Sequence, residues 1–390
     1  RLLSIRAVNI SEHVDYCLLC DLRASDSPTE PEDGRLIAAL KEYEGEGLRL
    51  FVRRRVREGK RYRGKERKRG ALRAYAEYRL EGKGDEFVYI TPHDAPKTIY
   101  TIVLDEDNAL YPGGVRTAID SIRHPFAAKY DLLTFTAKPD VGRADTRYAL
   151  RGIGGGGGYA EHSDFYYDMT ARAVFCGKGI FRLKEFYVKT GSLPVKRLLS
   201  HDIAEGAVSD TGAANVVTLE RPPRGICSDH AREERWKRGD VLLLGLLARR
   251  YKLHPTYKYL VFSNAFSLFA PIAAYILVSA FFAYGGIWQA AAALFACFAK
   301  PLAEAAFTAF SSAGKRKLSV IGRAGGILLR AAEDFALLPV RAANAFLLLV
   351  RCAISAAADG EGLTAWRTFA SVKGEKVSAL GRYALPGTLL

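Results

Sequence analysis

The sequence predicts an α/β domain followed by a transmembrane helical hairpin and interfacial helices. Three observations carry this. Short apolar runs alternate with helical patterns and loops over the first 250 residues. No Asp, Glu, Lys or Arg occurs from Tyr259 to Ala299. The charges flanking that stretch are basic on both sides.

In the first part, residues 14–22 (VDYCLLCDL), 48–54, 86–90 and 98–107 read as strands, and 35–44, 68–82 and 114–122 as helices. This alternation predicts a parallel sheet with crossover helices, whose ligands sit at the carboxyl ends of the strands. In the second part, 259–283 is long enough to span a bilayer by itself. Gly285 and Gly286 make a turn, and 287–311 forms a second span despite Lys300, Pro301 and Glu304. Lys237, Arg238, Arg249, Arg250, Lys252 and Lys258 precede the hairpin, and Lys315, Arg316, Lys317 and Arg323 follow it, which places both ends in the cytoplasm. Residues 324–358 mix apolar runs with charges and suit interfacial helices, with Trp366 as an anchor. The expected boundaries are therefore 1–250, 251–314 and 315–390.

Composition bounds the rest. The 390 residues carry 57 Lys and Arg against 42 Asp and Glu, a net charge of +15, which suggests an anionic partner. The 49% hydrophobic content excludes wholesale disorder. The mean hydropathy of −0.03 averages two unlike parts. The chain starts at Arg1 without a secretory signal and is expected to be part of a longer polypeptide. Of its cysteines only Cys17 and Cys20 are close, and no second pair completes a zinc site, so they read as core residues of a buried strand in a reducing compartment.

Five constellations could carry chemistry. Asp105 and Asp107, in LDED at a strand end, could hold Mg²⁺ or Mn²⁺ with positions left for a diphosphate, or simply open a solvated loop. Asp21 could bind a nucleobase or ribose, or cap a turn. In the stretch 53–69, 11 of 17 residues are Lys or Arg. It could meet nucleic acid or a membrane, or Lys68 or Arg69 could turn inward as a diphosphate clamp. His201, Asp202 and Glu205 in SHDIAEG offer a general base, or a helix cap. Arg232, Arg235 and Trp236 could bind phosphate and a sugar ring from one helix face, or belong to an amphipathic interfacial helix. The glycine run 152–160 lacks the Gly-Lys-Ser/Thr of a phosphate loop and reads as a loop or linker.

In their order, Asp21, ERKRGAL, LDED, FCGKGIF, LLSHDIAEG and REERWKRGD resemble the glycosyltransferase domain of cyclic β-1,2-glucan synthases, within the membrane-embedded processive synthases. Cys176 stands where that pattern has Thr or Ser, and LDED followed by Asn replaces LDADT. The resemblance implies a GT-A-like (Rossmann-like) glycosyltransferase domain, its first strand missing or cut here. It also implies UDP-glucose as donor, a β-glucan acceptor, Mg²⁺ or Mn²⁺, membrane lipid, and a larger synthase polypeptide at the bacterial inner membrane. A nucleic-acid partner is not expected. By position, the resemblance assigns Asp21 to the uridine, Lys68 to the diphosphate and Asp105 and Asp107 to the metal. Asp202 becomes the base, Arg232 and Arg235 contact the donor diphosphate, and Trp236 contacts the acceptor. The alternatives are a synthase of another β-glucan or exopolysaccharide, and a non-catalytic degenerate transferase.

Overall fold

The computed structural model describes residues 1–59, 61–92, 98–151, 165–194, 198–199, 201–248, 251, 253–311 and 317–357. Lys60, the glycine run, Ser200, Arg249, Arg250, Lys252, Lys315, Arg316 and Trp366 lie outside the described residues. The chain divides into two units, one of Arg1–Lys138, Gly158–Glu220 and Tyr251–Lys258, the other of Pro139–Gly157, Arg221–Arg250 and Tyr259–Leu390.

The first unit opens with α1 (Leu2–Ala7) and β1 (Tyr16–Asp21). Helix α2 (Pro31–Lys41) starts on Pro, where a missing N–H does no harm, and on reciprocal bonding between Glu30 and Asp33. It leads to β2 (Leu48–Arg53), parallel to β1 in a register running from Tyr16↔Leu48 to Asp21↔Arg53. The hairpin of β3 (Val56–Glu58) and β4 (Arg61–Arg63) precedes α3 (Arg67–Glu81) and β5 (Phe87–Ile90), which is antiparallel to β2. The remaining strands are β6 (Tyr100–Val103), β7 (Ala109–Leu110), β8 (Leu132–Pro139), β9 (Gly179–Arg182) and β10 (Thr211–Glu220), in the spatial order β6-β9-β8-β10-β7. Between them lie α4 (Gly114–Arg123), α5 (Arg147–Arg151, in the second unit), α6 (Phe165–Thr170), α7 (Leu183–Thr190) and α8 (His201–Val208).

The chain is mixed α/β, but the parallel sheet is not what forms. Parallel pairing is found between β1 and β2, while β2–β5, β6–β9, β8–β9 and β7–β10 are antiparallel. A strand buried on both faces reads as an apolar run in either direction, so its periodicity carries no orientation. The VDYCLLCDL segment also differs from expectation. Strand β1 is at the edge of its sheet, and Tyr16 is its one fully buried residue. Burial pushes the Cys17 and Cys20 thiols up to about 11 all the same.

Packing follows the apolar spacing. Val115, Ala118 and Ile122 share one face of α4 and bury against Leu133, Phe135 and Ile180. Phe51 at the centre of β2 meets Tyr75, Tyr78 and Phe87 edge-on, at centroid distances of 5.1, 5.7 and 5.6 Å. Each such side chain contributes about 1.5–3 kcal/mol over its exposed state. This fixes α3 on the small sheet.

The basic stretch 53–69 is not a continuous surface. Arg53 is 1% exposed. Its Nε donates to Asp21 Oδ1 at 2.7 Å and its Nη2 to Asp21 Oδ2 at 3.1 Å. Its remaining donors take the carbonyls of Lys65 and Arg67, each at 3.0 Å. Arg55 pairs with Asp33, and Arg69 donates to Pro194 O at 2.8 Å. These arginines hold the chain together from inside.

The second unit is helical: α9 (Ile226–Ala248), the continuation of α10 (Pro255–Phe266), α11 (Ala270–Tyr284), α12 (Ile287–Ser311), α13 (Lys317–Ala336) and α14 (Leu338–Ala357). Two segments, Pro255–Tyr284 and Ile287–Phe307, are long and apolar enough to cross a membrane. At the turn between them Tyr284 is 92% and Trp288 82% exposed, the side chains that favour a membrane–water interface. Ala345, Leu348 and Cys352 of α14 pack on Leu268, with Val241 and Leu242 of α9 beside them. Ala324–Ala336 and Leu338–Ile354, expected to be interfacial, meet at 59° and are together apolar enough for one broken span.

Replacing Arg53 with Met leaves Asp21 and two carbonyls without their donor. We expect a loss of about 2–4 kcal/mol in denaturant unfolding. Arg61→Gln, at the exposed Arg61–Asp26 pair, should change stability by less than about 1 kcal/mol.

Candidate active site

The turn into α3 builds one side of the candidate site. Glu66 and Arg67 both adopt left-handed backbone, φ 51° and 50°. Gly70 follows because a β carbon there would collide with the Lys65 carbonyl and sit 2.8 Å from Arg53 Nη1. The turn directs Lys68 inward, where its Nζ donates to the Asp105 carboxylate and, at 2.7 Å, to the Gly177 carbonyl. Of the readings open for the basic stretch, Lys68 follows the inward one.

Asp105 lies just beyond β6. Asn108, fully buried, accepts from the Asp105 N–H at 2.8 Å and donates its own N–H back to the Asp105 carbonyl at 3.0 Å. The residue that replaces Thr after LDED thus closes the loop on itself. Lys178 Nζ lies 3.4 Å from Asp105 Oδ2 and also pairs with Glu220 at the end of β10. Burial works against the Asp105 carboxylate, but the two lysines outweigh it and hold its pKa below the ordinary value. Asp107, two residues on, goes the other way. Burial raises its pKa, as do the neighbouring Glu220 and Asp105 charges, despite Lys178.

The other side comes from Gly177 and α8. Gly177 has φ +80°, and a β carbon there would sit 3.3 Å from Asp202 Oδ2 and 3.4 Å from Lys68 Nζ. Lys68, Asp105, Gly177 and Asp202 therefore converge on one point. Behind Asp202, His201 Nδ1 is 3.5 Å from the buried Glu205 carboxylate, an ion pair without an aligned hydrogen bond. Burial disfavours the imidazolium, yet the Glu205 charge prevails and the His201 pKa is raised.

Asp21 is not in this cluster, since its carboxylate is taken by Arg53. Arg232, Arg235 and Trp236 lie on α9, in the second unit. Arg232 donates to Asp229 at 3.0 Å and stacks on Trp236, its guanidinium 4.6 Å from the ring centroid. Trp236 remains 49% exposed. Lys178 and Glu220 were not singled out in the sequence. Their signals are a lysine between two glycines opening a strand, and an acid closing one, both at strand ends where ligands bind.

Among the described residues no group of three or more His, Cys, Asp or Glu could hold a metal ion. Asp105 and Asp107 are two neighbouring carboxylates, fewer than a cation held by protein alone would need. Mg²⁺ or Mn²⁺ then needs one or two carboxylates, with phosphate and water completing the shell. Asp107 fits best, as the carboxylate whose negative charge its surroundings oppose. Asp105 would contribute in competition with Lys68 and Lys178.

Lys68→Met removes a donor from the Asp105 carboxylate and the Gly177 carbonyl and should cost about 1–3 kcal/mol in denaturant unfolding. Asp105 would then titrate higher, nearer its ordinary range, which titration followed by NMR checks. The His201–Glu205 pair stabilises the fold most below the ordinary imidazole pKa of 6.5, and that contribution fades as pH rises through the raised value. Glu205→Gln should therefore lower the melting temperature more in mildly acidic than in alkaline buffer.

No family model matches the chain, and no curated protein sequence matches it. Among solved structures, a mannosyltransferase, PcManGT from Pyrobaculum calidifontis in complex with GDP-Man and Mn²⁺, is similar over 85% of this chain and 81% of that chain, with 16% sequence identity and a TM-score of 0.45.

Proposed function

We propose that the chain is an inverting glucosyltransferase that moves glucose from UDP-glucose to the 2-hydroxyl of a growing β-1,2-glucan at the cytoplasmic face of the bacterial inner membrane. The observation that carries this reading is the convergence of Lys68, Asp105 and Asp202 around Gly177. It supplies a cation for a leaving diphosphate and a carboxylate for an acceptor hydroxyl. The glucan itself rests on the sequence resemblance, and the membrane on the two apolar segments.

UDP-glucose is α-linked and the product β-linked, so one in-line displacement suffices. Asp202 takes the acceptor proton as the hydroxyl oxygen bonds to C1. The bond from C1 to the diphosphate oxygen breaks, and UDP departs with its electron pair. Lys68 and Lys178 lie where negative charge then grows. Asp107 and Asp105 would hold Mg²⁺ or Mn²⁺, which when bound would supply further countercharge to the diphosphate. The resemblance further gives the uridine to Asp21, although Arg53 occupies its carboxylate, the diphosphate to Arg232 and Arg235, and the acceptor sugar to Trp236.

A second reading, a non-catalytic transferase module, has one observation in its favour. Asp105 is already engaged by two lysines. A related synthase with a different product is distinguished by linkage analysis.

Asp202→Asn should lower glucose incorporation from UDP-glucose by at least about 100-fold while UDP binding persists. Unchanged incorporation sinks the assignment of the base. Absence of UDP binding by the unaltered protein supports the non-catalytic module.

A further inference from the structure

The second unit contains a cavity of about 870 Å³ with unlike walls. Helix α9 contributes a charged wall, including Arg235, Lys237 and Arg238. The helices that belong to the apolar segments contribute an uncharged one, including Pro271, Ala274 and Cys297. Six Lys and Arg line the cavity against three Asp and Glu, so its charge is positive. Two of the acids are neutralised locally, Asp334 by Arg341 at 2.8 Å and Glu234 by Arg351 at 3.6 Å. Arg238 Nε is buried and has no hydrogen-bond partner among the described residues. A buried donor without an acceptor is unfavourable.

A cavity this size accepts an organic ligand rather than a lone ion. The ligand must bring an acceptor with negative charge to the α9 wall. It must also bring hydrocarbon to the α11 and α12 wall, which a soluble phosphate would leave unmatched. We infer that this cavity is a binding site for an anionic phospholipid, its headgroup on Arg238 and Lys237 and its upper acyl chains along Pro271, Ala274 and Phe335. The inference needs the apolar helices to lie in a membrane and does not depend on the reaction proposed above. Arg232 and Arg235 also line the cavity, so a lipid there would adjoin residues assigned to the sugar donor.

The test uses the full chain in phosphatidylcholine nanodiscs with and without phosphatidylglycerol, with retained lipid counted by native mass spectrometry after detergent release. The unaltered protein should retain phosphatidylglycerol in preference to phosphatidylcholine. Arg238→Gln should cut that retention about five-fold, and Arg238→Gln with Lys237→Gln should cut it further. Arg238→Lys, which keeps the charge, should retain the lipid and so controls for misfolding. Equal retention of both lipids, or unchanged retention in Arg238→Gln, overturns the inference. Displacement of phosphatidylglycerol by inorganic phosphate also overturns it, in favour of a soluble-anion site. UDP binding is measured on the same samples; its loss with lipid retained would sink the transferase reading and leave this one standing.

Discussion

The buried pair of Arg53 and Asp21 is the constraint on which the first unit depends. The two residues face each other at the ends of parallel strands, and the guanidinium grips the carboxylate with two donors. An arginine this deeply buried is tolerable only when charge and hydrogen bonds are both satisfied. Arg53 meets that demand by also taking the carbonyls of Lys65 and Arg67. One side chain thus ties two strand ends to the turn from which Lys68 emerges. A lysine would not serve, because a point charge on a flexible stem cannot hold a carboxylate and two carbonyls in a fixed fork.

Two carboxylates with a single residue between them have their pKa values shifted in opposite directions. Burial opposes charge on both, but Lys68 and Lys178 lower the Asp105 pKa, whereas the Glu220 and Asp105 charges raise that of Asp107 despite Lys178. Under the proposed function, the first carboxylate gathers the lysines and the second has the most to gain from a metal ion.

Much of this was legible in the sequence where a local rule applied. The strands at 48–54 and 86–90 and the helices at 68–82 and 114–122 appear within a residue or two of their expected limits, because their apolar spacing is unambiguous. Asp105 and Asp202 are acids at element ends, and Lys68, one of two candidates in the basic stretch for an inward turn, is the one that converges with them around Gly177. Strand direction was not legible, since it depends on pairing between distant segments. Nor was the fate of Arg53, Arg55 and Arg69. A run of basic residues looks like a surface until the acids that neutralise it, drawn from residues 21 and 33, are seen beside it. Lys178 was hidden for the same reason, its partners lying 73 residues before it and 42 after.

The paired left-handed residues Glu66 and Arg67 have a consequence for evolvability. Each such non-glycine conformation costs about 1–3 kcal/mol, so glycine at Arg67 would relieve more strain than the roughly 0.5–1 kcal/mol of added chain freedom would cost. A variant selected only for robustness would drift toward glycine there. It would also loosen the stem of Lys68, trading a stiff, ready-made contact with Asp105 and the Gly177 carbonyl for one that forms only part of the time. Stability and preorganisation pull this turn in opposite directions, and the native residues sit on the side of preorganisation.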